Sequence, residues 1–176
     1  MRDASAATIV LLGMMGAGKT TVGRAIAART GWRYLDNDEL VLAATGRPPE
    51  EIDASEGTEA LHEAESAALR HALSLSPPLI AGAAAWVVED EHSLELLRRT
   101  PAVVYLHARP ETLHRRIGGG GGRRADATDL AWLRARYAER DAAYRRAATV
   151  TVDTDEHEAH AVAAQVLRTL GLAARD

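Results

Sequence analysis

Of the 21 lysine and arginine residues in the chain, only Lys19 is a lysine. It closes the octapeptide Gly13-Met14-Met15-Gly16-Ala17-Gly18-Lys19-Thr20, which fits G-x-x-x-x-G-K-[ST]. In such a phosphate-binding loop, successive backbone N–H groups turn inward onto phosphate oxygens. Glycines permit that backbone shape and the close approach it needs. The helix that follows adds its positive end. A compact ammonium on a flexible stem suits Lys19 to reach the β- and γ-phosphates of ATP, and the Thr20 hydroxyl is suited to Mg²⁺. An accidental glycine-rich turn would share the composition, but not the flanking strand and helix described below.

Three further clusters could carry chemistry. Tyr34-Leu35-Asp36-Asn37-Asp38 sets two carboxylates two residues apart at the end of a second short strand. Ligands of parallel sheets bind beyond the carboxyl ends of strands, which puts both acids in the crevice of the glycine loop. One acid can organise the Mg²⁺ hydration shell, and the other can accept a hydrogen bond from an acceptor hydroxyl. The bland alternative is a solvated turn capping a helix. Next, five consecutive glycines, Gly118 to Gly122, precede Arg123 and Arg124. A mobile loop bearing cations suits closure over ATP and stabilisation of transferring charge; a low-complexity surface linker is the alternative. Last, Tyr137, Arg140 and Tyr144 share a helix face. Arg140 could clamp an anionic substrate through paired donors, or could form a surface ion pair among solvated neighbours such as Arg136 and Glu139. The seven histidines show no metal-ligand spacing, and His157 and His160 read as surface residues.

The elements that would position these groups alternate. Thr8–Leu12 is a continuous apolar run and reads as a buried parallel strand. A helix from about Lys19 to Thr30 follows, ended by Gly31. Arg33–Asp36, Leu79–Gly82, Ala102–Leu106 and Thr149–Val152 read as further strands. Helices are expected over 39–45, 50–73 with a break near Gly57, 89–99, 110–117, 128–148, and a last one capped by Asp155 with Glu158 and ended by Gly171. Alternating strands and helices mean an α/β fold: one parallel sheet with helices on both faces. There is no internal repeat and no domain linker.

Composition bounds the rest. A chain of 176 residues is one domain, large enough for its own core. Phe is absent and aromatics make up 4%, so the core is aliphatic, with Trp32, Trp86 and Trp132 expected as its few large pieces. A net charge of −4 argues against a nucleic-acid binder. The absence of cysteine excludes disulfides, thiolate metal sites and a cysteine nucleophile, and fits a cytoplasmic protein. No apolar run is long enough to span a membrane. Residues 1–7 lack the pattern of a secretory signal and are expected to form a disordered tail before a single domain over 8–176.

Together these segments resemble the shikimate kinase family. The similarity runs through Gly-Met-Met-Gly-Ala-Gly-Lys-Thr-Thr-Val-Gly-Arg at 13–24, Leu35-Asp36-Asn37-Asp38, Thr45-Gly46-Arg47, Glu56-Gly57, Val104-Tyr105-Leu106, Arg115-Arg116 and Arg140 through Tyr144-Arg145-Arg146. It covers about residues 8 to 171. The resemblance implies a single-domain, three-layer P-loop kinase fold with a five-stranded parallel sheet in order 2-3-1-4-5. It implies an acceptor-binding region at about 37–73 and a mobile lid at about 117–128. The activity implied is ATP- and Mg²⁺-dependent phosphorylation of a hydroxyl on shikimate or a related hydroxylated acid or cyclitol, by a monomer, in aromatic amino acid biosynthesis. Gly13, Gly16, Ala17, Gly18, Lys19, Thr20, Thr21, Arg115 and Arg123 are then expected at the nucleotide, and Thr20 and Asp36 at the metal. Asp38, His62, Gly82, Ala83, Ala84 and Arg140 are expected at the acceptor, with Lys19, Asp38 and Arg123 catalytic.

Four residues, at three sites, depart from the family pattern. His62 stands where the family has an arginine on the acceptor carboxylate. Gly82-Ala83-Ala84 replaces three glycines. Arg124 replaces the proline after the lid arginine. These departures leave open a non-catalytic nucleotide-binding relative, or a nucleotide kinase of the same fold.

Overall fold

The computed structural model describes residues 7–118 and 129–172. Arg123, Arg124 and nearly all of the expected lid lie outside the described residues, as does the expected tail apart from Ala7. The element order is β1 (Thr8–Leu12), α1 (Lys19–Thr30), β2 (Arg33–Leu35), α2 (Asn37–Thr45), α3 (Pro49–Glu56), α4 (Thr58–Ser74), β3 (Leu79–Gly82), a 3-10 turn (Ala85–Glu89), α5 (Glu91–Arg99), β4 (Ala102–His107), α6 (Pro110–Ile117), α7 (Leu130–Ala147), β5 (Val150–Asp153) and α8 (Ala159–Leu170). The strands form one sheet in the order β2-β3-β1-β4-β5, every neighbouring pair parallel. That is the expected order.

Successive strand residues point to opposite faces of a sheet. In β1, Ile9, Val10, Leu11 and Leu12 are all 0% exposed, so helices cover both faces. The core is aliphatic as expected, but its large pieces are different. Tyr105 and Tyr144 are the largest fully buried side chains, stacked with centroids 4.8 Å apart. Trp32, Trp86 and Trp132 are only partly buried at the edge of the core. A phenol in the interior needs one partner, and both tyrosines have one: the Tyr105 hydroxyl donates to Asp141 at 2.9 Å, and the Tyr144 hydroxyl to the Ala85 carbonyl. The three indoles are partly exposed instead, although the Trp86 Nε1 is itself buried with no hydrogen-bond partner among the described residues.

Several helix starts also differ from expectation. Helix α2 begins at Asn37, because the Asp36 carboxylate accepts from the Asp38 N–H at 3.1 Å and caps it. Helix α8 begins only at Ala159, without a side-chain cap. Asp155 instead accepts from the backbone N–H of Arg109 at 2.9 Å and from its Nε at 2.7 Å, tying the β5–α8 connection to the start of α6.

Glycine at 23 and 82 has a packing reason. A Cβ on Gly23 would lie 2.2 Å from the Tyr34 ring, and one on Gly82 would lie 2.6 Å from the Tyr34 hydroxyl. The phenol therefore passes between α1 and β3 on its way to Asp36. Gly23→Ala would gain helix propensity worth about 0.8–1 kcal/mol, against overpacking of about 1–3 kcal/mol, so stability should fall, by up to about 2 kcal/mol. Thermal unfolding checks this: a midpoint at or above that of the unaltered protein would mean the ring has room to move aside.

Candidate active site

Among the described residues, the segments that carry chemistry meet at the carboxyl edge of the sheet. The glycine loop follows β1, Asp36–Asp38 follows β2, Gly82-Ala83-Ala84 follows β3, and Thr154 follows β5. β1 lies between β3 and β4, where the strand order reverses, which is the crevice such sheets use for ligands. One cavity of about 900 Å³ runs along this edge. It takes in Gly16, Ala17, Gly18, Lys19, Thr20, Thr21, Asp36, Asp38, His62, Gly82, Ala83, Ala84 and Arg140.

The loop has the geometry its glycines allow. Gly13, Gly16 and Gly18 have φ of 147°, 82° and 94°, in the region that side chains avoid. Gly13 does not line the cavity. It lies beneath the loop, where a Cβ would come within 2.7 Å of the Leu106 carbonyl. The Lys19 ammonium donates to the Gly13 carbonyl at 2.7 Å and the Met14 carbonyl at 3.1 Å, which holds it at the centre of the loop.

The first acid of the Asp-x-Asp pair is the better anchored. Asp36 is buried, and its Oδ2 accepts from the Thr20 hydroxyl at 2.7 Å and the Tyr34 hydroxyl at 3.0 Å. Burial, and then the Asp36 charge beside it, push the Tyr34 phenol well above its ordinary range, so it stays a donor. Thr20 and Asp36 bring a hydroxyl and a carboxylate together, and both are the hard oxygen donors that suit Mg²⁺. Asp38, the second residue of α2, is partly buried and lines the cavity.

The far end of the cavity is formed by α3, α4, α7 and the 3-10 turn. His62 of α4 stacks on Trp86, with centroids 3.8 Å apart and planes 10° from parallel. Arg140 of α7 is only 12% exposed and donates through Nε to Glu89. Arg136, one turn earlier, pairs with Glu139 at 2.7 Å, so it and Arg140 have different partners. Ala83 and Ala84 do not strain the backbone: among the described residues no non-glycine has positive φ.

At the opposite end the structure separates the arginine pair of α6. Arg115 is exposed and does not line the cavity, whereas Arg116 does. Arg116 donates to the Gly16 carbonyl at 3.4 Å, to the Thr154 hydroxyl at 3.1 Å and to the Thr154 carbonyl. The helical phase carries this signal, since Arg116 is three residues after the buried Leu113 and beside the buried Ile117. His157, exposed as expected, nevertheless sits at the rim of the same cavity. Trp86 and Glu89 had no local sequence signal; only the return of the chain after β3 places them here.

The family model for shikimate kinase matches residues 15–171. A shikimate kinase of Symbiobacterium thermophilum is 39% identical over 166 residues, covering 92% of this chain and 95% of that protein. One from Neisseria meningitidis serogroup C is 39% identical over 148 residues, covering 83% and 86%. Among solved structures, a shikimate kinase from Acinetobacter baumannii in complex with shikimate superposes with a TM-score of 0.86 at 28% identity, over 95% of this chain and 94% of that one. With its phosphate loop, its Asp-x-Asp pair and this likeness along nearly its whole length, the chain belongs to the shikimate kinase family, whose members are phosphotransferases with a hydroxyl acceptor.

Proposed function

We propose that the protein transfers the γ-phosphoryl group of ATP to a hydroxyl of shikimate. The observation that carries this reading is the meeting, in one cavity, of a glycine loop with Lys19 and an acceptor end bearing Asp38 and Arg140. The Acinetobacter baumannii relative, solved with shikimate bound, supports the choice of acceptor. Mg²⁺, held through the Thr20 hydroxyl and the Asp36 carboxylate, would supply charge neutralisation at the β- and γ-phosphates. The loop amides and Lys19 bind and orient the triphosphate. Arg116, at the other end of the loop, lies on the side left for the nucleoside. Arg140 takes the acceptor's carboxylate, and Asp38 orients its hydroxyl. The hydroxyl oxygen attacks the γ-phosphorus in line as the bond to the β–γ bridging oxygen breaks; Asp38 accepts the proton and ADP leaves. Arg123, expected over ATP, belongs to the same reading. Neither the non-catalytic reading nor the nucleotide kinase reading is favoured by this arrangement.

A coupled ADP-release assay with shikimate, run beside a panel of cyclitols, sugars and hydroxy acids, tests the assignment. ADP release independent of shikimate at every concentration would end it. In the same assay, His62→Arg should raise kcat/KM for shikimate by about tenfold, the worth of one charge-assisted hydrogen bond. A guanidinium can keep the stack on Trp86 while adding donors for the carboxylate. An unchanged value would assign the acceptor preference to Ala83 and Ala84 instead.

A further inference from the structure

The 3-10 turn Ala85–Glu89 follows the Gly82-Ala83-Ala84 loop and organises the acceptor end of the cavity. Its first residue receives the Tyr144 hydroxyl, its second stacks on His62, and its last, Glu89, accepts from Arg140 Nε. Both Glu89 and Arg140 line the cavity. Arg140 is nearly withdrawn from water at 12% exposure, whereas Glu89 is 46% exposed. A cation so placed depends on an acceptor for its orientation, while the half-exposed carboxylate is screened and repels a neighbouring anion weakly. The planar guanidinium carries five donors in a rigid fork, so a bond at Nε fixes where the two terminal nitrogens point.

We infer that Glu89 is a positioning residue for acceptor specificity: by holding Arg140 at Nε, it aims the terminal nitrogens of the guanidinium at a carboxylate on the acceptor. The inference rests on the proposed function, because it requires an acid as acceptor. Nothing in the Glu89 contact involves the phosphate loop, so its effect belongs to acceptor binding alone.

The test uses steady-state kinetics of the unaltered protein, Glu89→Ala and Glu89→Gln, with shikimate and with its uncharged carboxamide. Glu89→Ala should raise the shikimate KM by about tenfold, with kcat and the KM for ATP unchanged. Glu89→Gln, whose amide oxygen still accepts from Nε, should restore most of that loss. The KM of the carboxamide should not move in either variant. A lower shikimate KM in both variants would make Glu89 a competitor for Arg140 and overturn the role. So would an unmoved KM, a glutamine variant as impaired as alanine, or equal shifts for shikimate and carboxamide. If the unaltered protein turns over no shikimate, the acceptor assignment falls and takes this role with it. If it is active and the variants behave like it, the role alone falls.

Discussion

Lys19→Ala is expected to lower kcat for shikimate phosphorylation by about two to three orders of magnitude, the usual cost of removing one preorganised donor from a developing negative charge. Two effects combine. The first is loss of the ammonium that should meet the γ-phosphoryl oxygens. The second is structural: the Gly13 and Met14 carbonyls lose the donor that bridges them in this structure, at 2.7 and 3.1 Å. An abandoned acceptor of this kind costs about 1–3 kcal/mol. Thermal unfolding measured beside kcat separates the two, because the stability loss should be a small part of the catalytic loss. Lys19→Arg should not rescue activity. A planar fork cannot occupy the centre of a loop built round a compact ammonium. Turnover within a few-fold of the unaltered protein in Lys19→Ala would remove the phosphate loop from the mechanism.

Asp38→Asn should reduce kcat by about a hundredfold to ten-thousandfold while leaving the KM for shikimate nearly unchanged, which is the expected range for loss of a positioned proton acceptor. The amide keeps the size of the side chain and can still accept a hydrogen bond from the hydroxyl. It cannot take the proton. Asp36 cannot substitute, because its carboxylate is committed to Thr20, Tyr34 and the Asp38 N–H. Steady-state kinetics with calorimetric binding of shikimate would check the split. A fall in affinity with kcat preserved would make Asp38 a binding residue only.

The site is a composite, and its two halves differ in how far they are local. The phosphate end is built almost entirely from the contiguous run Gly13–Thr21, with Arg116 and Thr154 closing one side. The acceptor end draws on α2, α3, α4, the 3-10 turn and α7, which span roughly a hundred residues of chain. The departures from the family pattern can be weighed accordingly. Ala83 and Ala84 sit in a backbone that accepts alanine, whereas Gly82 cannot be replaced without displacing Tyr34. His62 has found a new partner in Trp86. Arg124 lies outside the described residues.

The order of strands and helices could be read along the chain, because a continuous apolar run, a glycine stop or a proline start each acts within a few residues. The phosphate loop could be read for the same reason: backbone shape, helix end and ammonium all come from one short segment. Misreadings arose where a residue's partner is remote. Asp155 looked like a helix cap, but Arg109, 46 residues earlier, takes its carboxylate. The tryptophans looked like core, but Tyr105 and Tyr144 fill it, because each phenol finds a partner brought by another element. Arg115 and Arg116 are neighbours in the chain; helical phase sets Arg116 on the side of Leu113, and the docking of α6 against the loop brings that side to the cavity. Likewise, nothing near Glu89 in the chain marks it as the partner of Arg140, 51 residues away. Local pattern carries the backbone because its interactions are short in range; pairing of side chains across the cavity is decided only when the sheet brings distant segments to a common edge.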